Sequence, residues 1–207
     1  MLLSRALARQ LGHPSGVLGR LILGTLWNRR NAALNDAAFD SLALRPCDQV
    51  LEVGFGGGYL LGRMAAVLTD GCLAGVDISP AMVAFCQKRY RTLIEAGKLA
   101  LECAEAESLP YPSASFKKVC TVNSIFYWKS AQQAISELRR VLETNGKLVL
   151  CFTCKDSMED RRFARHGIAL YEAEEIDTMM KAAGFCEVNF TRRSDQHRNF
   201  WHVIGQG

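Results

Sequence analysis

Apolar positions along the chain change their spacing several times, and each change predicts an element. After a leucine-rich start dotted with arginines, Asn28 to Leu44 reads as helix leading into a first strand. Gln49-Val50-Leu51-Glu52-Val53 is a short apolar run ending in glycines, which predicts that strand. Leu60 to Leu68 is helical in composition and stops at Asp70-Gly71, a turn signal. Cys72 to Val76 predicts a second strand closed by Asp77. Ser79-Pro80 then supplies an N-cap and a proline at the first helical position. The helix that follows carries Met82, Val83, Phe85 and Cys86 at helical spacing and is expected to run to about Ala96.

The alternation continues. Leu99 to Cys103 predicts a third strand, and Leu109-Pro110-Tyr111-Pro112 forces a loop, because proline restricts itself and its predecessor. Lys118 to Val122 reads as strand, Ala131 to Leu142 as a helix ended by Asn145-Gly146, and Lys147 to Phe152 as strand. A last helix spans about Ala173 to Ala183 and stops at Gly184. Glu187 to Thr191 and Trp201 to Ile204 follow as two strands joined by a polar turn. Strand–helix alternation means a parallel sheet covered on both faces. The expected fold is therefore α/β, with a seven-stranded, mostly parallel sheet, helices on both faces and a C-terminal antiparallel hairpin. Repeats and linkers are absent, so one domain is expected, with residues 1–45 as a helical cap or lid on a ligand-binding body of residues 46–207.

Composition changes this picture little. The chain has 207 residues, 49% hydrophobic and 22% charged, as in an ordinary soluble domain. A net charge of +4 is too small to argue for nucleic acid, which asks for a strongly basic face. The charge is uneven: Arg5, Arg9, Arg20, Arg29 and Arg30 precede Asp36, the first acidic residue. An organellar transit peptide is one reading of that start. A basic helical segment over the domain is the preferred one, because helix continues into the first strand. No apolar run approaches the ~18 residues of a membrane span, so a cytoplasmic protein is expected. Of the eight cysteines, Cys72, Cys103, Cys120, Cys151 and Cys186 sit in or beside apolar, strand-like segments, the setting of free thiols. Cys151 and Cys154 have CxxC spacing, but positions three apart on a strand face opposite ways, and no metal site is expected.

The richest stretch is Glu52-Val53-Gly54-Phe55-Gly56-Gly57-Gly58-Tyr59, at the carboxyl end of the first strand. Glycines there allow a tight turn and let a ligand approach bare backbone. A dinucleotide fingerprint needs a small residue where Tyr59 stands, and a P-loop needs a Gly-Lys-Ser/Thr ending, which is missing. What remains is acid-x-Gly-x-Gly-x-Gly with the acid, Glu52, on the strand. A carboxylate there would repel pyrophosphate but attract a ligand with an amino group, such as S-adenosylmethionine (SAM). Asp77 ends the second strand, where an acid accepts hydrogen bonds from ribose hydroxyls in nucleotide-binding α/β folds.

These residues resemble the methyltransferase-type-11 branch of the class I SAM methyltransferases, over most of the chain. The first motif is matched by Val50 to Gly58, the second by Gly75-Val76-Asp77-Ile78-Ser79 with Met82, and an adenine segment by Glu105 to Pro112 with Ser115-Phe116. Leu138 to Leu142 with Gly146-Lys147-Leu148, and Tyr171 to Ile176 through Ala183-Gly184-Phe185, resemble the closing elements. The resemblance implies a Rossmann-like SAM-methyltransferase fold, with SAM as cofactor and S-adenosylhomocysteine (SAH) as product. It implies that Glu52 and Gly54 face the methionine moiety, within a loop that includes Phe55. Gly56 and Gly58 would permit close approach. Asp77 would hold the ribose, Ile78 would pack on adenine, and Glu105 with the Ala106 backbone would read the adenine edge. The backbone carbonyl of Asn123 would lie beside the methionine amino group. Lys117 and Thr144-Asn145 depart from the family's usual residues, at positions away from the cofactor.

Methyl transfer from SAM is an in-line displacement, so the protein's task is chiefly positioning. A general base matters only if the acceptor must lose a proton. Phe126-Tyr127-Trp128 follow the fourth strand and can shape an apolar wall. Tyr127 and His166 are the candidate catalytic groups, with His166 in a segment that also holds Arg161, Arg162 and Arg165. His13 belongs to the expected lid, and His197 and His202 to the terminal hairpin as structural residues. Asn123-Ser124-Ile125-Phe126 lacks the prolines of the motif common in base and amide N-methylation. A small or medium-sized acceptor is thus expected, with no nucleic-acid partner. Leu7, Leu11, Leu18, Leu21, Ile22 and Leu26 among the N-terminal arginines keep open a lipid or quinone methyltransferase at a membrane surface. A non-catalytic SAM-binding regulator is a further alternative. The oligomeric state is left open by the sequence.

Overall fold

The computed structural model describes residues 31–159 and 168–207. In chain order these form α1 (Ala32–Leu42), β1 (Gln49–Val53), α2 (Tyr59–Ala65), β2 (Cys72–Asp77), α3 (Pro80–Arg89), α4 (Arg91–Glu95), β3 (Leu99–Cys103) and β4 (Phe116–Val122). A 3-10 turn (Ile125–Tyr127) leads to α5 (Ala131–Val141) and β5 (Leu142–Thr153). The chain ends with α6 (Lys155–Glu159), α7 (Ala173–Ala182), β6 (Glu187–Ser194) and β7 (Asn199–Gln206). The seven strands lie in one sheet in the order β3-β2-β1-β4-β5-β7-β6. The first five pair in parallel, while β7 runs antiparallel to both β5 and β6. That is the sheet the alternating pattern predicts, hairpin included.

Both faces of the sheet are covered, and alternation along each strand decides which layer a residue joins. Leu51 and Val53 of β1 pack with Ile135 and Leu138 of α5 and with Ile176 and Met180 of α7. Val50 turns the other way, toward Leu34 and Leu42 of α1, Leu60 and Met64 of α2, and Met82 and Cys86 of α3. Glu52 shares the parity of Val50 and so points into this second layer, where it is 4% exposed.

The element boundaries hold three departures from the sequence pattern. The expected helix through Ala96 breaks at Tyr90 (φ −110°, ψ 24°) into α3 and α4. Its break has a tertiary cause: the Tyr90 hydroxyl donates to the Gly58 carbonyl at 2.6 Å, drawing the ring back against α2. β5 begins at Leu142, directly after α5, rather than at Lys147. Asn145 (φ 62°) bends within the strand, and its amide donates to the Gly207 carbonyl at 2.9 Å. Helix α6 and the 3-10 turn are short elements where the sequence pattern assigned none. As expected, Ser79 caps α3, accepting from the Met82 amide at 3.4 Å, with Pro80 at the first helical position.

At the amino edge of the sheet, Lys118 Nζ donates to Asp48 Oδ2 at 2.6 Å and to the Ala43 carbonyl at 2.6 Å. Lys147 Nζ donates to the Ser41 carbonyl at 3.0 Å. Two lysines thus satisfy the C-terminal carbonyl end of α1, where a cation is favoured. Burial raises the Asp48 carboxyl, but the Lys118 hydrogen bond, the Arg45 amide and nearby lysine charge outweigh it and hold the group low. Among the described residues no helix is long and apolar enough to cross a membrane.

Candidate active site

The strand order reverses direction beside β1, whose parallel neighbours are β2 and β4. In open α/β sheets the crevice beyond the carboxyl ends of such strands is where ligands bind. The structure brings Glu52, Gly54, Phe55, Gly56, Gly58, Asp77, Ile78 and Asn123 to that edge, at the ends of β1, β2 and β4. Glu105 and Ala106 follow the end of β3.

Gly54, Gly56 and Gly58 all have positive φ (79°, 50° and 72°), a region that glycine enters freely and other residues rarely do. Their surroundings differ. A Cβ on Gly54 would stand 2.5 Å from the Ser124 Cβ, and one on Gly58 would meet Cys86 Sγ at 2.8 Å and Tyr90 Cε2 at 2.9 Å. Those two glycines make room for the protein's own side chains. A Cβ on Gly56 would have nothing within 4 Å, so bare backbone opens onto free space at that position. Phe55 is buried against Gly75 of β2.

Asp77 is buried at 8% exposure and already carries two backbone bonds. Its Oδ2 accepts from the Gly56 amide at 2.8 Å, and its Oδ1 accepts from the Ser79 amide at 2.8 Å. A carboxylate accepts through both oxygens, which is the chemistry that ribose hydroxyls call for. The same acid therefore fixes the glycine turn and the start of α3. Ile78, next in sequence, is half-buried.

Glu52 is the electrostatic anomaly. Burial, and then the negative charge of Asp77, push its carboxyl up to about 8, against a hydrogen bond from the Leu61 amide that lowers it. Its Oε2 is buried without a hydrogen-bond partner. An orphaned acid oxygen is costly unless something completes it, and a ligand ammonium is the matching group. Together with the open backbone at Gly56 and the buried Asp77 carboxylate, this donor–acceptor set fits SAM.

The adenine segment holds two acids in different settings. Glu105 is half-exposed and ion-paired with Lys129, which lies beyond the 3-10 turn. Glu107 is the buried acid: its Oε1 accepts from the Lys129 amide at 2.5 Å and the Ser130 amide at 3.1 Å, anchoring the entry to α5. Ala106 is buried at 7% exposure. Asn123 sits at φ 55°, a conformation that asparagine tolerates better than most. Its Oδ1 accepts from the Thr153 amide at 2.9 Å and hydroxyl at 3.2 Å. Its Nδ2 donates to Asn31 Oδ1 at 3.0 Å. These bonds, spanning the ends of β4 and β5 and the start of α1, hold the strained backbone whose carbonyl the resemblance assigns. Asn31 and Thr153 carried no signal in the sequence, since each is meaningful only through Asn123.

Tyr127 stands on the 3-10 turn, 38% exposed, the one large hydrophobic side chain on the surface among the described residues. Desolvation raises its phenol to about 12. It is protonated at neutral pH and can offer a hydrogen-bond donor. Phe126 and Trp128 are buried with α5. His166, Arg161, Arg162 and Arg165, and His13 with residues 1–30, lie outside the described residues. Cys151 and Cys154 are free and buried, and burial raises the Cys151 thiol to about 12. The described residues hold no cluster of His, Cys, Asp and Glu arranged for a metal ion.

A parallel sheet reversing beside β1, a glycine turn open at Gly56 and an acid ending β2 define the Rossmann-like SAM-methyltransferase class. Comparison with known proteins supports the same reading, a class I SAM-dependent methyltransferase. Residues 51–150 match a family profile described as a methyltransferase domain. An uncharacterized methyltransferase of Bacillus subtilis, YdaC, is 28% identical over 168 residues, covering 78% of this chain and 91% of that protein. The 27-O-demethylrifamycin SV methyltransferase of Amycolatopsis mediterranei is 32% identical over 131 residues, 60% of this chain and 48% of that one. The chain thus spans less than half of that relative. A SAM-dependent methyltransferase from Aquifex aeolicus superposes with a TM-score of 0.68 at 16% identity, over 98% of this chain and 97% of that one, a likeness of fold.

Proposed function

We propose that this methyltransferase acts on a small or medium-sized molecule, whose acceptor atom is presented at the carboxyl end of β4 beside Asn123 and Tyr127. The observation that carries the reading is the brevity of the connections over that edge. Cys154 to Glu172 is all the chain between β5 and α7, too little for a separate folded recognition domain of the kind a macromolecular substrate calls for. The rifamycin relative's printed activity, on a small molecule, supports the same size class.

SAM, when bound, supplies the activated methyl group. Asp77 is assigned to the ribose hydroxyls, Gly56 to close backbone approach, and Glu52 with the Asn123 carbonyl to the methionine ammonium. Ile78, Glu105 and the Ala106 backbone are assigned to adenine. For Glu105 this means exchanging or sharing its Lys129 partner. Tyr127, protonated at neutral pH, donates a hydrogen bond that orients the acceptor. Orientation is worth more than acid–base help when the reaction is a displacement. The assay is SAH formation by purified protein supplied with SAM and, in turn, phenols, hydroxyquinones, alcohols, carboxylic acids and amines. A product heavier by one methyl in one of these classes is expected. Methyl incorporation into added protein or nucleic acid alone would sink the reading.

A further inference from the structure

Helix α3 does more than cover the sheet: three side chains on its last turn reach three consecutive carbonyls of the glycine turn. Cys86 Sγ donates to the Gly56 carbonyl at 3.4 Å, Arg89 Nη1 to the Gly57 carbonyl at 3.2 Å, and the Tyr90 hydroxyl to the Gly58 carbonyl at 2.6 Å. A residue-by-residue match of this kind does not arise from covering an apolar face. It needs α3 to stop at Tyr90, and α3 does stop there.

A second, independent feature is shaped to the same side chain. A Cβ on Gly62 would stand 2.7 Å from the Tyr90 hydroxyl oxygen, and one on Gly58 would stand 2.9 Å from its ring. Gly62 is helical and has no positive φ to explain it; in mid-helix glycine is unfavourable relative to alanine. Gly58 and Gly62 together form a notch on the first turn of α2 that receives the Tyr90 ring. Arg89 lies over that ring at 5.2 Å from its centroid, closing the notch from outside. On the opposite side of the turn, Asp77 Oδ2 takes the Gly56 amide. The Gly56 peptides are thus held from both ends, amide toward Asp77 and carbonyl toward Cys86, leaving its open face free.

We propose that Tyr90 and Arg89 are positioning residues for SAM. By holding the Gly57 and Gly58 carbonyls against α3, they fix the turn in its binding shape before the cofactor arrives. Glycine loses more backbone freedom on ordering than any other residue, and a turn of four residues with three glycines would otherwise have that freedom to lose on binding. Preorganisation transfers the cost from binding to folding. The inference rests on the turn being the SAM site, so its test has one readout without cofactor and one with it.

Tyr90→Phe keeps the ring in its notch and deletes only the hydroxyl. Arg89→Met deletes the Gly57 bond, and Arg89→Lys keeps a donor there. Amide hydrogen exchange of residues 54–62, in protein without ligand, is expected to quicken in Tyr90→Phe and Arg89→Met and to stay near wild type in Arg89→Lys. Calorimetric titration is expected to show SAM and SAH both bound roughly 3- to 10-fold more weakly by the first two variants, the scale of one hydrogen bond, with near-wild-type affinity in Arg89→Lys. Unchanged exchange in Tyr90→Phe would overturn the clamp whatever the turn binds. Faster exchange with unchanged SAM and SAH affinity would overturn its role in cofactor binding and leave the hydroxyl a purely structural contact.

Discussion

Glu52 offers the sharpest test of how burial tunes the site. Its carboxyl is lifted from 4.5 to about 8 by desolvation and by Asp77. Between those values the folded chain keeps a proton that the unfolded chain releases, so the unfolded state binds fewer protons and stability falls as pH rises. The contribution is fully favourable below about 4.5 and is lost progressively up to about 8. At about 1.4 kcal/mol per unit this amounts to roughly 3–5 kcal/mol across the window. Glu52→Gln is neutral at every pH and retains an oxygen for the Leu61 amide. Urea unfolding without ligand should therefore show wild-type stability dropping relative to the variant between pH 5 and pH 8, while contributions from groups remote from Glu52 cancel in the difference. The same proton has a second readout. If an ammonium docks at Glu52, binding at pH 7 should release close to one proton per SAM, about 0.9 for a group at about 8. Calorimetry in buffers of different ionisation enthalpy measures that number, and Glu52→Gln should abolish it. Parallel stability profiles for the two proteins would refute the burial argument. Matched profiles of proton release would refute the docking of the ammonium.

Other expectations follow from the same contacts. Asp77→Asn should weaken SAM by roughly 10- to 100-fold, the scale of one or two charge-assisted bonds. Because Asp77 also accepts from Gly56 and Ser79, it should also lower the melting temperature of the ligand-free protein, which calorimetric melting checks. Gly56→Ala meets no neighbour, so it should cost only about 1 kcal/mol for its positive φ while impairing SAM binding more, as paired urea and titration experiments would show. Asp48→Asn removes the counter-charge of the half-buried Lys118, and equilibrium unfolding should report a loss of about 1–3 kcal/mol, the scale of a hydrogen bond to a charged group. With the Asp48 carboxyl held low, its contribution is present above the ordinary carboxylate range and is lost as pH falls, so acid unfolding of the variant should be less steep. Tyr127→Phe should leave SAM affinity unchanged and slow turnover of the acceptor roughly 10-fold, once an acceptor is in hand; unchanged turnover would remove Tyr127 from the site.

Much of the fold is legible in the chain because its determinants are local. Period-2 and helical apolar spacing, the Ser79-Pro80 cap and the Asp70-Gly71 turn each speak within a few residues, and their order predicts a mostly parallel sheet with a terminal hairpin. The glycine turn and Asp77 are legible for the same reason, since strand ends fix where they stand. Where the pattern misjudged an element, a distant partner was responsible. The helix through Ala96 breaks because Tyr90 reaches back to Gly58, and β5 starts early because Leu142 pairs with Phe116 of β4.

The site divides along the same line. Sequence alone determined that Glu52, three glycines and Asp77 would gather at one sheet edge, because each lies at or just beyond the end of a parallel strand. Only the tertiary structure decided what each does there. It made Gly54 a seat for Ser124 and Gly58 a seat for Tyr90, and left Gly56 open to a ligand. It gave Glu105 a lysine, Glu107 the entry to α5, and Asn123 two partners from other elements. It also turned Glu52 into an acid that holds its proton near neutrality. Hydrogen-bond partners, free volume and desolvation are properties of neighbours in space, and those neighbours lie tens of residues apart along the chain.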